Sequence, residues 1–154
     1  DDDNKVWVLA FSALSGEGIA LWGSQVAELR SSLETFRLIH FGSPENSGEG
    51  ADTADPNGNG LSNLMEYALH LDPMAEGENR ALSTHIKDSK LTIQFQRIGD
   101  PDLRYAVERS GDLADFSVIW SSSGNGNEIG SLSVSDNNNT TEFPGGFLRL
   151  KVSR

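Results

Sequence analysis

Apolar and polar residues alternate with period two along the second half of the chain. Leu91, Ile93 and Phe95 are separated by polar residues, and Tyr105 and Val107 continue the pattern in a second run. The alternation recurs less regularly at Phe116, Val118, Trp120, Leu132 and Val134, and the final run places Leu148, Leu150 and Val152 inward. Glycine, proline, aspartate and asparagine separate these runs. Short alternating runs with turns between them predict an antiparallel sandwich or small barrel over residues 80–154.

The first half carries two segments with helical spacing. The segment "SLETFRLIHFG" predicts a short helix with Ser32 as N-cap, Glu34 in the first turn and Gly42 as C-cap. Its apolar face would hold Leu33, Phe36 and then Ile39 or His40. The segment "LSNLMEYALHL" (61–71) predicts a second helix that ends at Asp72-Pro73, because a residue before proline avoids the helical region.

These patterns predict an α+β fold in which a helix–loop–helix unit packs against an antiparallel β-sandwich. The helical unit covers residues 32–73, and residues 43–60 form its loop by composition. Residues 1–31 contain a continuous apolar run at 6–11 and the segment "IALW" at 19–22, with "SGEG" between them. We interpret them as N-terminal strands and as the candidate end of a preceding β domain.

The charged residues are distributed unevenly along the chain, and their distribution argues against some classes of function. The net charge is −11, and residues 38–79 hold eight acidic and no basic side chains. Nucleic-acid binding depends largely on cationic contacts, so this segment argues against it and favours small cations. Absence of cysteine excludes disulfides, zinc-thiolate sites and thiol catalysis. No run approaches the roughly 18 apolar residues of a membrane span.

The most acidic segment contains a candidate calcium loop, "DPNGNGLSNLMEY". Its positions 1, 3, 5, 7, 9 and 12 match the ligand frame of an EF-hand loop and are Asp55, Asn57, Asn59, Leu61 (through its carbonyl), Asn63 and Glu66. Gly60 stands at position 6, where the loop turns sharply. Calcium prefers six to eight oxygen ligands, which alternate residues of a tight loop can supply. The alternative is an Asn-Gly turn followed by a helix whose Glu66 faces solvent.

The ligand set predicts weak binding. Only Asp55 and Glu66 carry formal charge, which indicates a dissociation constant on the order of 10⁻⁴–10⁻³ M, the range of extracellular modules. Asp52, three residues upstream, is a candidate for an extra ligand or an outer-shell charge. A single weak loop is typical of a structural ion rather than a cytosolic switch, so we expect the chain to be secreted or on the cell surface.

The residues of this region also resemble a known kind of module. The stretch "FGSPENSGEGADTADPNGNGLSNLMEYALHLDP", followed by "YAVERSGDL" and "FLRLKVSR", is similar to the C-terminal module of secreted or surface proteins of environmental bacteria. Its acidic part resembles the calcium loops of thrombospondin type 3 and dockerin repeats. The resemblance covers residues 32–154 and implies an exported protein with bound Ca²⁺ and an accessory, non-catalytic role.

Two non-enzymatic functions follow from these observations. No nucleophile elbow, phosphate-binding loop or paired-histidine metal motif is present. The first function is a structural, anchoring or assembly role with a protein partner or with further copies, on the cell surface or in the extracellular matrix; it predicts an unpaired edge strand or groove. The alternative is binding of a polysaccharide or other polymer on an aromatic face, for which Trp120 and Tyr105, with Trp7 and Trp22, are the candidates.

Overall fold

The protein is a mixed α+β chain with two small antiparallel sheets. A computed structural model describes residues 31–76, 81–142 and 145–154. Two helices and six strands are present there: α1 (Ser32–Phe41), α2 (Asn63–Ala68), β1 (Leu82–Lys87), β2 (Lys90–Arg97), β3 (Arg104–Ser110), β4 (Ser117–Ser123), β5 (Gly130–Ser135) and β6 (Phe147–Ser153). The N-terminal strands predicted within residues 1–31 lie outside this part of the chain. No helix in the described ranges is long and apolar enough to cross a membrane.

Within the described residues each sheet has three strands, and its central strand carries most of the buried side chains. The orders are β1-β2-β5 and β4-β3-β6, with every pairing antiparallel. In β2, Ile93 and Phe95 are buried while Gln94 and Gln96 are exposed, as the period-two pattern predicted, but Thr92, which the pattern placed on the polar face, is also buried. In β3 four consecutive residues, 105–108, are buried, because this strand is covered on both faces.

Aromatic side chains join the two sheets. The Phe95 ring of β2 stacks with Tyr105 of β3 at a centroid distance of 6.5 Å and meets Trp120 of β4 edge-on at 6.2 Å. The remaining buried apolar residues complete one core that also receives both helices; they are Leu33, Tyr67, Ala68, Leu69, Ile93, Leu103, Val107 and Val134.

Helix α1 begins at a capping box. The side chain of Ser31 accepts a hydrogen bond from the Glu34 amide, and the Glu34 carboxylate accepts one from the Ser31 amide. The predicted N-cap, Ser32, was therefore wrong by one residue, because Ser31 holds the extended conformation that a cap requires. Gly42 ends the helix in the left-handed region, as predicted. His40, rather than the exposed Ile39, packs against Phe36.

Helix α2 is shorter than its apolar pattern predicted. It ends at Ala68, four residues before Asp72, because the backbone reverses through His70 at φ 60°. The amide of His70 donates to the Tyr67 carbonyl, and the amide of Leu71 donates to the Glu66 carbonyl. These two bonds form a Schellman motif, which satisfies the last helical carbonyls without Asp72-Pro73. The motif fixes Glu66 close to the end of a very short helix.

Candidate calcium site

Side chains at alternate positions close the loop that precedes α2. The Asp55 carboxylate accepts hydrogen bonds from the amides of Asn59 (3.1 Å) and Gly60 (2.9 Å). The side-chain oxygen of Asn57 accepts from the Asn59 amide, and that of Asn59 accepts from the Leu61 amide. Gly60 has φ 86°, a conformation that L side chains rarely adopt. The loop therefore brings positions 1, 3 and 5 of the predicted ligand frame together.

Glu66 joins these positions from the helix. Its side chain is 0% exposed, and its Oε1 accepts hydrogen bonds from Nδ2 of Asn57 (3.1 Å) and Nδ2 of Asn59 (2.9 Å). Its Oε2 is buried and has no hydrogen-bond partner in the part of the chain that the structure describes. The alternative in which Glu66 faces solvent is therefore wrong. Position 12 of the loop meets positions 3 and 5 in the protein interior.

The electrostatic surroundings of Glu66 disfavour its charge. Burial raises the pKa of the Glu66 carboxyl, and the negative charges of Asp55 and Asp72 raise it further. The hydrogen bonds from Asn57 and Asn59 lower this pKa and so offset part of the effect. Glu66 is thus a buried carboxylate with acidic neighbours, and buried charges in proteins are normally paired with a cation or coordinate a metal.

Asn63, at position 9, has a second unpartnered acceptor. Its amide nitrogen donates to the backbone carbonyls of Glu49 (2.7 Å) and Ala51 (2.8 Å), which fastens the 3₁₀ turn Gly48–Gly50 to α2. Its Oδ1 is buried and accepts no hydrogen bond from residues 31–76, 81–142 or 145–154. The nitrogen thus has a structural role that sequence did not predict, while the oxygen predicted as a ligand is unpartnered like Oε2 of Glu66.

Of the two remaining predicted ligands, Leu61 lies in the loop, whereas Asp52 forms ion pairs away from it. The Leu61 side chain packs against the core. This packing fixes the position of Leu61 in the loop, and with it the backbone carbonyl that is the predicted ligand. The Asp52 carboxylate is held by Arg37 at 2.5 Å and by Arg154 at 3.1 Å. Asp52 as an extra ligand is therefore a prediction that this geometry corrects, because both carboxylate oxygens already bind guanidinium groups. Asp52 fastens α1 to the loop instead.

The structure adds one group that sequence reasoning missed. The carbonyl of Ala75 accepts a hydrogen bond from the same Asn57 Nδ2 that donates to Glu66, at 3.0 Å. A backbone carbonyl in the turn after α2 has no residue-type signal, so only the fold could reveal it. The Asn57 amide nitrogen thus bridges the Ala75 carbonyl oxygen and the Glu66 carboxylate.

The oxygen atoms at this site are of the kind that a hard cation such as Ca²⁺ binds. They comprise two carboxylates, three carboxamide oxygens and nearby backbone carbonyls, and each carboxamide oxygen has two lone pairs. Among the described residues no three Asp, Glu, His or Cys side chains gather at one point. A loop with two carboxylates would not form such a group, because amides and carbonyls supply its remaining oxygens.

Tyr105 and Trp120, the two candidates for sugar binding in the described part of the chain, do not form an exposed aromatic face. Tyr105 is fully buried, and its hydroxyl donates to the carbonyls of Ala68 (2.9 Å) and Ile98 (3.3 Å). Burial raises the pKa of Tyr105 to about 12. Trp120 is half-buried against Phe95, and the Arg97 guanidinium lies 5.7 Å from its ring centre. The prediction of Tyr105 as a stacking residue was wrong; Trp7 and Trp22 lie outside the described residues.

Comparison of the chain with protein-family models, with curated proteins and with solved structures gives no match in any of the three. Function is therefore inferred from the geometry of the loop and of the sheets.

Proposed function

We propose that the chain is a non-enzymatic, calcium-stabilised structural module of a secreted or surface protein, with an anchoring or assembly role. In this proposal a helix–calcium loop–helix unit packs against an antiparallel β-sandwich. One observation carries it: Glu66 Oε2 and Asn63 Oδ1, at positions 12 and 9 of the loop, are both buried acceptors that find no hydrogen-bond partner among the described residues. Unpartnered buried acceptors are rare in folded proteins and call for an explanation such as an ion.

The proposed ligands are Asp55, Asn57, Asn59, the Leu61 carbonyl, Asn63 and Glu66. Bound Ca²⁺ supplies positive charge that neutralises the loop. Asp55 and Glu66 provide the two negative charges, and Asn57 and Asn59 hold Glu66 in place through their amides. The low charge of the site makes it weak, so it suits compartments with millimolar calcium, which favours secretion or the cell surface.

An ion bound to Glu66 would stabilise the packing of α2 on the two sheets as well as the loop. Helix α2 is tied to both sheets through the carbonyl of Ala68, which accepts hydrogen bonds from the Tyr105 hydroxyl of β3 and from the Ile98 amide that follows β2. Asn63 ties the same helix to the turn Gly48–Gly50. An ion that holds Glu66 therefore acts on the junction of the helices and the sheets, which is the role of a structural metal.

A calcium titration followed by NMR tests this proposal. In ¹⁵N-labelled protein, we expect saturable shifts confined to residues 55–66 and 75, largest at Gly60, whose amide donates to Asp55. The fitted dissociation constant should be on the order of 10⁻⁴–10⁻³ M. Magnesium, which prefers a smaller and stricter octahedral site, should produce weaker shifts. Small shifts scattered over all acidic residues, or equal shifts with magnesium, would contradict the proposal.

A further inference from the structure

Strand β1 overhangs the core. It is the end strand of its sheet in the described part of the chain, and all six of its residues are exposed. Its register with β2 places Leu82 opposite Phe95 and Thr84 opposite Ile93. Directly opposite residues in an antiparallel pair point to the same face of the sheet. Leu82, Thr84 and Ile86 therefore belong to the core-facing side of β1.

The core-facing side chains of β1 lack the cover that their β2 neighbours have. Phe95 and Ile93 are each 1% exposed, whereas Leu82 is 39% and Ile86 is 66% exposed. An edge strand with exposed apolar side chains and free backbone groups is a surface on which another strand can pair. Two residues with positive φ, Asp88 and Ser89, form the tight turn that joins β1 to β2 and keeps the edge in place.

The sequence of β1 is complementary to itself. If two copies pair antiparallel about a two-fold axis through Thr84, each Thr84 lies opposite the other. Leu82 then lies opposite the Ile86 of the second copy, and Ser83 lies opposite its His85. This register places apolar residues against apolar residues on the core side. Apolar and Thr–Thr pairs directly opposite each other stabilise a sheet.

Charge also favours a second copy at this edge. The chain carries a net charge of −11, so most of its surface would repel a second copy. Residues 81–90 contain Asp88 as the single acidic side chain, against Lys87 and Lys90. In the register centred on Thr84, His85 faces a neutral serine rather than another histidine. The edge of β1 is therefore one part of the described surface where two copies can meet without acidic repulsion.

We propose that β1 is an assembly surface on which a second copy of this chain adds its own β1, giving a continuous six-stranded antiparallel sheet with two-fold symmetry. The inference deepens the proposed assembly role, on which it depends, by naming the partner and the contact. An isologous contact of this kind needs the same patch on both copies, which a self-complementary strand provides. Six residues per copy form a small interface compared with the roughly 800 Å² per partner of stable complexes, so the association is weak and reversible.

A single introduced cysteine tests the register, because the chain has none of its own. In the Thr84→Cys protein the two cysteines of a dimer lie directly opposite, with Cα atoms at about 4.5–5.5 Å, inside the range that a disulfide spans. In the matched control, His85→Cys, the two cysteines lie on a longer diagonal of about 7–8 Å or more, beyond that range. Both positions are exposed, so neither change should disturb folding.

Under mild oxidation at high protein concentration, we expect the Thr84→Cys protein to form the disulfide-linked dimer at least about tenfold faster than the His85→Cys protein, since pairing raises the effective concentration of its thiols. Equal rates would overturn the proposed contact. A Thr84→Cys chain that neither cross-links nor reacts with a small thiol reagent would also overturn it, since the edge would then be covered within one chain. A calcium response retained in either outcome would leave the calcium proposal standing, so the two failures are distinguishable.

Discussion

Replacing Glu66 by glutamine is expected to make the calcium-free protein more stable and to abolish its stabilisation by calcium. Without an ion, wild type buries a carboxylate with one unpartnered oxygen, and glutamine removes that charge while keeping the bonds from Asn57 and Asn59. The amide that replaces Oε2 is also unpartnered, so we expect a gain at the low end of the range for such groups, about 1 kcal/mol. The measurement is urea unfolding in EGTA and in calcium.

With calcium the stability difference between the two proteins changes sign, and wild type becomes the more stable. Wild type should gain about 1.4 kcal/mol when free calcium is tenfold above the dissociation constant, because the unfolded chain does not assemble the ligands. The Glu66→Gln protein should gain none. Glu45→Gln, which removes an exposed carboxylate from the same acidic segment, is the matched control and should respond to calcium as wild type does. Equal calcium responses in Glu66→Gln and wild type would exclude Glu66 as a ligand.

The pH dependence of the calcium-free protein follows from the same carboxyl. Burial raises the pKa of Glu66 above its ordinary value of 4.5, so the folded state binds this proton more tightly than the unfolded chain does. The contribution of Glu66 to the stability of wild type should therefore fall as pH rises from 4.5 through the raised pKa. Glu66→Gln lacks this proton, so the stability difference between the two proteins should shrink as pH is lowered through that window.

Replacing Arg37 by methionine should destabilise the protein by about 3 kcal/mol, the lower end of the range for breaking a buried ion pair. Arg37 is 2% exposed on α1, and its Nη2 lies 2.5 Å from the Asp52 carboxylate. Methionine fills a similar volume but leaves the Asp52 carboxylate with the more exposed Arg154 and the side-chain amide of Asn46 as its partners in the described part of the chain. The fall in unfolding free energy, measured by urea denaturation in EGTA, should therefore be large.

The control is the second arginine on the same carboxylate. Arg154→Met removes a partner that is 44% exposed, and exposed ion pairs contribute at most about 1 kcal/mol. If both substitutions cost the same small amount, Asp52 would not be the buried attachment of α1 that the geometry indicates. Because Asp52 lies outside the proposed ligand set, neither change should abolish the calcium response of the folded protein.

The spacing of apolar residues predicted the helices and strands better than it predicted which of their side chains are buried. The alternation at Ile93 and Phe95 was confirmed because a half-covered strand shows its burial directly in sequence. Helix α2 was predicted from an apolar stripe, yet Asn63 and Glu66 are among its buried residues. Side chains of this kind are buried when specific partners exist, and sequence periodicity does not show partners.

Two further features had no signal that pattern reasoning uses. Strand β1 was not predicted, because an overhanging edge strand exposes both of its faces and so lacks a buried face to mark it. Arg37 was not predicted to be buried, since its partner Asp52 lies 15 residues away in sequence. The spacing of Asp55, Asn57, Asn59 and Glu66 was informative for a different reason: local backbone geometry alone brings alternate residues of a tight loop together.

The central claim, that the loop before α2 is a calcium site, is tested most directly by thermal unfolding of the wild-type protein. The melting temperature would be measured in excess EGTA, in several millimolar CaCl₂ and in the same concentration of MgCl₂. We expect a rise with calcium that magnesium does not reproduce. An unchanged melting temperature in calcium would contradict the claim and would leave Glu66 as a buried carboxylate stabilised by Asn57 and Asn59 alone.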